Sequence, residues 1–155
     1  MKHIKDRSLD DATVVMLAHD ISRLFHNQMR NELSKQNINH SYHRLLFHLS
    51  NNDSLTQLDL VKFTHLKAPS ISVTLQKMEY DGLITRETNP SDMRQVIVRI
   101  TDKGRQLNET VRTILQEQDK MCMDGITDEE IGAAKKVLDK MIHNLIGQNE
   151  KGMIR

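Results

Sequence analysis

The chain has 155 residues, of which 37% are hydrophobic and 28% charged, with a net charge of +1; that balance excludes disordered, fibrous and collagen-like classes. No apolar run approaches the roughly 18 residues of a membrane span, and the start Met1–Arg7 lacks the apolar centre of a signal peptide, so a cytoplasmic protein without membrane association is expected. Cys122, the single cysteine, excludes an internal disulfide and fits a reducing compartment.

Ser8 with Asp11 three residues later reads as a capping box, and Val14, Leu17, Ile21 and Leu24 then recur at steps of three and four. A long first helix to about Ser34 follows from that spacing. Asn37–His40 breaks it, and Ser41 caps a second helix with Tyr42, Leu45, Leu46 and Leu49 on its apolar face. Asn51–Ser54 ends the second helix. Thr56 and Asp59 repeat the capping signature for a short third helix carrying Leu58, Leu60 and Val61, and Thr64–Lys67 makes the next turn.

Pro69 lies in the first turn of a fourth helix, where a missing N–H costs nothing, and Gly82 suits its left-handed end. Ile71, Leu75 and Met78 should face a core, leaving Ser70, Ser72, Val73, Gln76 and Lys77 outward. Short hydroxyls near a helix start tolerate close approach of phosphates, and Gln76 and Lys77 have groove reach. An ordinary solvated helix face has the same composition, so order along the chain carries the argument. Leu83–Thr88 and Gln95–Thr101 read as strands joined by the six residues Asn89–Arg94, in which Pro90 and Asp92 stiffen a projecting tip. Arg94 suits a narrow minor groove, and Asp92 is expected to pair with a basic neighbour and hold the loop.

Thr101 caps a fifth helix bearing Leu107, Val111, Ile114, Leu115 and Met121, expected to end near Gly125. Thr127 to Glu130 is a full capping box before Ile131, Ala134, Leu138, Met141 and Leu145, which repeat at coiled-coil spacing. The resulting fold class is mainly α with a small β-hairpin wing: one unit over 1–155, with a winged helix-turn-helix at 41–104 flanked by dimerisation helices at 8–36 and 105–147. A small monomer can instead fold the terminal helices onto its own core. Intersubunit packing is the favoured reading, because two half-sites on one DNA face require a two-fold protein.

Charge follows this division, with 9 basic against 7 acidic residues in 41–105 and the reverse, 7 against 9, in 106–155. Lys67, Lys77, Arg86 and Arg94 belong to the basic stretch. A helix-turn-helix followed by a wing offers duplex DNA one probe for the major groove and a ribbon for the minor groove.

The run Asp92-Met93-Arg94, the strand Val96–Thr101 and then Asp102-Lys103-Gly104 resemble the wing signature of the MarR family of transcriptional regulators, and Gly82–Ile84 with Arg86 resembles that family's link between recognition helix and wing. The resemblance spans nearly the whole chain, with Ile100 where leucine is commoner. It implies a winged-helix homodimer on a pseudo-palindromic operator, often repressing and often released by a small molecule or an oxidant. It also implies that Arg94 is the minor-groove residue and Asp92 its wing partner. Lys67, Pro69, Ser70, Ser72, Val73, Gln76, Lys77, Arg86, Asp92 and Arg94 are the DNA-binding candidates, and His26, Met29, His43 and Phe47 the candidates for an effector pocket.

Other readings fare less well. The eight histidines, with His40-x-x-His43 among them, raise a metal-responsive regulator, but no Cys or Glu cluster completes a four-ligand set and no cofactor is expected. Cys122 lies late in the chain and reads as a buried or idle thiol rather than a redox switch. No Gly-rich phosphate loop, nucleophile elbow or zinc-protease helix supports an enzyme. A winged-helix module for protein contacts alone remains the second reading, separated from the first by whether neutralising Arg94, Lys67 or Lys77 weakens DNA binding.

Overall fold

The computed structural model describes residues 8–52 and 54–152. The start Met1–Arg7 and Asp53 of the Asn51–Ser54 turn lie outside the described residues. Six helices are present among them: α1 (Val14–Lys35), α2 (Tyr42–Ser50), α3 (Gln57–Thr64), α4 (Ala68–Tyr80), α5 (Asp102–Cys122) and α6 (Asp128–Gly152). Three strands, β1 (Leu55–Thr56), β2 (Ile84–Asn89) and β3 (Asp92–Ile100), form an antiparallel sheet in the order β1-β3-β2. The chain, read from its length as one unit, divides into two compact units at Gln118/Asp119.

The first unit is built on α2, α3, α4 and the sheet. Tyr42, Leu45, Leu46 and Leu49 are buried together with Leu60, Ile71, Leu75, Met78, Ile84 and Val98. This is the face expected from the spacing of α2 and α4. Leu58 departs from expectation: it is exposed, because Leu60 and Thr64, one turn apart, take the inward positions of α3. A second buried cluster joins Met29 and Leu33 of α1 to Val111 and Ile114 of α5. The first half of α1 behaves differently, for Val14, Ile21 and Leu24 of the expected stripe lie open to solvent.

Helix ends are set locally. Thr13, rather than Ser8, caps α1 by accepting from the Met16 amide at 3.2 Å, while Ser8 opens a 3-10 turn at Leu9–Asp11. Ser41 does not cap α2 with its side chain; Asn39 Oδ1 accepts from the Ser41 amide at 3.0 Å and from its hydroxyl at 2.9 Å, holding the bend instead. Thr56 and Asp59 complete the capping box of α3, and His65 ends that helix in the left-handed region at φ 54°.

At the end of α4, Gly82 has φ 71°; its amide donates to Glu79 O, and the Leu83 amide donates to Met78 O. That six-to-one bond pairs buried Leu83 with buried Met78, so the helix stop and the core are one feature.

The wing is tighter than the sequence suggests. The expected six-residue loop shrinks to Pro90 and Ser91, since Asn89 pairs directly with Asp92. Asn89 Oδ1 accepts from the Ser91 amide at 3.0 Å, which holds the reversal. Pairing then slips, because Thr88 partners Val96; Met93, Arg94 and Gln95 are the surplus residues of a bulge. Strand β1 went unforeseen: Leu55 and Thr56 pair with Val98 and Ile97.

Thr101 caps α5 by accepting from the Gly104 amide at 3.1 Å. Gly104 is buried, and a Cβ there would stand 2.2 Å from Leu83 O and 2.7 Å from Ile100 Cγ1, so only glycine lets α5 start against the end of β3. The helix stops at Cys122, ahead of Gly125 at φ 75°. Cys122, expected to be a buried or idle thiol, is exposed in the last turn of α5, which removes only the buried alternative. In the second unit Thr127 and Glu130 form their capping box at the start of α6, yet Leu138 and Leu145 of its apolar repeat are exposed.

Candidate nucleic-acid interface

The outward face of α4 carries Pro69, Val73, Gln76 and Lys77, all exposed, with Ser72 half-buried at one flank. Lys67 is the exposed residue preceding the helix, and its side chain makes no capping bond. The start of α4 therefore presents the positive end of a helix dipole beside a lysine. Ser70 is exposed as expected, and it also lines a cavity with residues of α1 and α2. Tyr80, overlooked in the sequence, is 91% exposed and shares a groove of about 330 Å³ with Val73, Gln76 and Lys77. Its position seven, four and three residues after Val73, Gln76 and Lys77 was the available signal.

The other end of this face is fixed by a hydrogen bond across the core. Tyr42 Oη donates to Asp81 Oδ2 at 2.6 Å, tying α2 to the residue that caps α4. Burial, reinforced by the acceptor carboxylate, pushes the Tyr42 phenol up to about 12, so it stays a donor at any physiological pH.

Three arginines belong to the hairpin, and their partners distinguish them. Arg86 Nε donates to Glu79 Oε2 at 2.8 Å, linking β2 to α4. Arg99 Nε donates to Glu87 Oε1 at 3.0 Å, diagonally across β2 and β3. Arg94 is exposed, has no carboxylate partner among the described residues, and projects from the bulge. The expected role of Asp92 is replaced: among the described residues it pairs with no basic side chain, but accepts from the Arg94 amide at 3.1 Å and from Gln95 Nε2 at 2.9 Å. It thus shapes the backbone that carries Arg94. Arg94 also lines a cleft of about 380 Å³ with Ala68 at the start of α4 and with Gln57 and Val61 of α3, so hairpin and helix meet at one edge.

The four effector candidates separate. His26 and His43 line a cavity of about 490 Å³ with Arg30, His40, Arg44 and Ser70. Met29 is instead buried in the α1–α5 cluster. Phe47 is 53% exposed on another surface, edge-on to His48, which in turn stacks on Phe63. The 3.6-residue repeat placed all four on the right helices but could not give the rotation of α1 against α2. Among the described residues no group of three or more His, Cys, Asp or Glu is placed to hold a metal ion, and no helix is long and apolar enough to cross a membrane.

A family model described as MarR family matches residues 32–95. Solved structures match most of the chain. The Staphylococcus aureus MepR–DNA complex is 26% identical, with a TM-score of 0.77 over 86% of this chain and 99% of that one. A MarR-family transcriptional regulator from Silicibacter pomeroyi is 25% identical, with a TM-score of 0.70 over 89% of this chain and 96% of that one. Wild-type MarR from Escherichia coli in its apo form is 20% identical, with a TM-score of 0.75 over 84% of this chain and 96% of that one. This last likeness is one of fold.

Proposed function

We propose that the chain, whose residues 32–95 match the MarR family model, is a member of that family and a sequence-specific DNA-binding transcriptional regulator, acting as a homodimer on a pseudo-palindromic operator. The observation that carries this reading is the pairing of a free Arg94 at the hairpin bulge with an exposed polar face on α4, while the neighbouring Arg86 and Arg99 are occupied. In the dimer the two α4 helices enter successive major grooves about 34 Å apart, one helical turn, and each wing reaches the flanking minor groove. Lys67 and Lys77 contact phosphate, and Ser72, Val73 and Gln76 meet base edges. The likeness to a MepR–DNA complex at 26% identity supports this docking.

Dimerisation is supported by the exposed apolar residues of α1 and α6, since Ile21 and Leu145 are 57% and 67% exposed in the single chain. The regulator works in the cytoplasm, represses, and has no catalysis of its own. A small molecule in the cavity beside His26 and His43 releases it from DNA by preferring one arrangement of the two α4 helices over the other.

Selection of bound fragments from a genomic DNA library at fixed moderate salt tests the reading. Wild type should enrich one inverted repeat, and Arg94→Ala should weaken it. Lys77→Ala should reduce the salt slope by about one unit. No enrichment, together with a silent Arg94→Ala, would leave the protein-interaction module as the better account.

A further inference from the structure

The outward face of α4 is chemically uneven. Ser72, Gln76 and Lys77 are polar, but Val73 stands among them with 53% of its surface open, the only branched aliphatic side chain of α4 that the core does not take. Ile71, Leu75 and Met78 fill the inward side of the helix, so Val73 is no part of the buried stripe. At about 100° per residue, Gln76 lies about 60° to one side of Val73 and Lys77 about 40° to the other, which puts the valine near the middle of the face. Its neighbours leave it prominent. Thr74 Oγ1 donates to Ser70 O at 2.9 Å and is thereby folded back on its own helix, and Glu79 is held on the flank by Arg86. A β-branched side chain in a helix keeps essentially one χ1 rotamer, so the two methyl groups are fixed in place and lose little freedom on contact. Val73 is also the sixth residue of α4, in the N-terminal half that a recognition helix turns toward base edges.

In the major groove, base edges present donors, acceptors and one apolar group, the C5 methyl of thymine. We propose that Val73 reads that methyl, so that each operator half-site carries a thymine facing the middle of α4. The proposal rests on the DNA reading above and gives it a base. At the same point adenine and guanine would offer Val73 the polar N7, and cytosine its N4 amine without a methyl. The rest of the face agrees. α4 contains no arginine, the commonest bidentate reader of guanine, whereas Gln76 suits adenine N6 and N7. Arg94 at the hairpin bulge suits the narrow minor groove of A·T runs, so both probes favour A·T pairs. One methyl taken out of water against Val73 contributes about fourfold in affinity per half-site, and about fifteenfold over the two half-sites of a dimer.

The test starts from the inverted repeat that the wild-type protein enriches from the genomic library. Duplexes of that repeat are made with each thymine in turn, in both half-sites, replaced by deoxyuridine, which pairs identically and lacks only the C5 methyl. Binding of the full-length protein is then measured at fixed salt. At one symmetric pair of positions, wild type should lose about fifteenfold. Val73→Ala should bind the unmodified repeat more weakly and be indifferent to uracil at that pair. Its melting temperature should match wild type, because Val73 lies outside both buried clusters. Uracil tolerated by wild type at every position overturns the proposal. A uracil penalty undiminished in Val73→Ala also overturns it, by assigning the methyl to another residue. Absence of any enriched repeat overturns the DNA reading itself and this proposal with it, so the two failures are told apart.

Discussion

The winged module and the terminal helices show opposite uses of the same amphipathic repeat. In α2 and α4, residues spaced at three and four, such as Leu46 and Leu75, are wholly buried. In α6 the same spacing leaves Leu138 and Leu145 in solvent, and in α1 it leaves Ile21 there, although Met29 and Leu33 further along that helix are buried. A periodic stripe states that one face is to be covered. It does not state by what, and in this chain the answer changes within a single helix.

The widest contrast should come from one substitution made in both regions. Leu46→Ala empties a fully enclosed site and should lower unfolding stability by about 3 kcal/mol at any protein concentration. Leu145→Ala should leave dilute protein almost unchanged but raise the concentration at which sedimentation shows a dimer. Equal effects for the two, both independent of concentration, would dissolve the contrast and with it the dimer. Gly104→Ala comes next: its methyl meets the Leu83 backbone, and a loss of about 2 kcal/mol in denaturant titration is expected.

Thr56→Ala should cost about 1 kcal/mol by removing the cap of α3. The smallest effect is shared by the two capping boxes and is read by pH. The Thr56 hydroxyl and amide hold the Asp59 carboxyl below its usual value, and the Thr127 amide and hydroxyl do the same for Glu130. A depressed carboxyl stabilises the fold above its unfolded pKa, and that contribution is lost as pH falls through the folded value. Stability measured from pH 5 downward should therefore decline less steeply in Asp59→Asn. Glu130→Gln should show the same flattening, and a slope unchanged in both would refute the assigned cause.

What could be read in advance was local. Thr56 with Asp59, Thr127 with Glu130 and the glycine after α4 each act through bonds spanning three to five residues, which leave a fixed spacing in the chain. The buried trio Ile71, Leu75 and Met78 was legible for the same reason. Strand β1 was not, because two residues have no period and Leu55 is a strand only by virtue of Val98, far along the chain. The DNA face was largely legible as a list, yet the sequence could not distinguish occupied Arg86 from free Arg94, since Glu79 reaches Arg86 only once α4 and β2 pack. Nor could it show that exposed Ser70 also borders the cavity, or that Met29 and Phe47 part from His26 and His43. Those outcomes depend on how one helix is rotated against the next.

The join between α4 and α5 carries a further meaning. The Asp81 carbonyl accepts from Lys103 Nζ at 2.6 Å and the Gly82 carbonyl from Thr101 Oγ1 at 2.8 Å, while the Thr101 amide donates to Leu83 O at 3.0 Å. The hairpin between these residues is thus a loop whose two feet are fastened to each other. Its length is consequently a free variable: residues added or removed at Pro90 and Ser91 alter how far the ribbon extends without pulling on either helix. Such a clasp lets the reach of the arm diverge while the body that carries it stays the same.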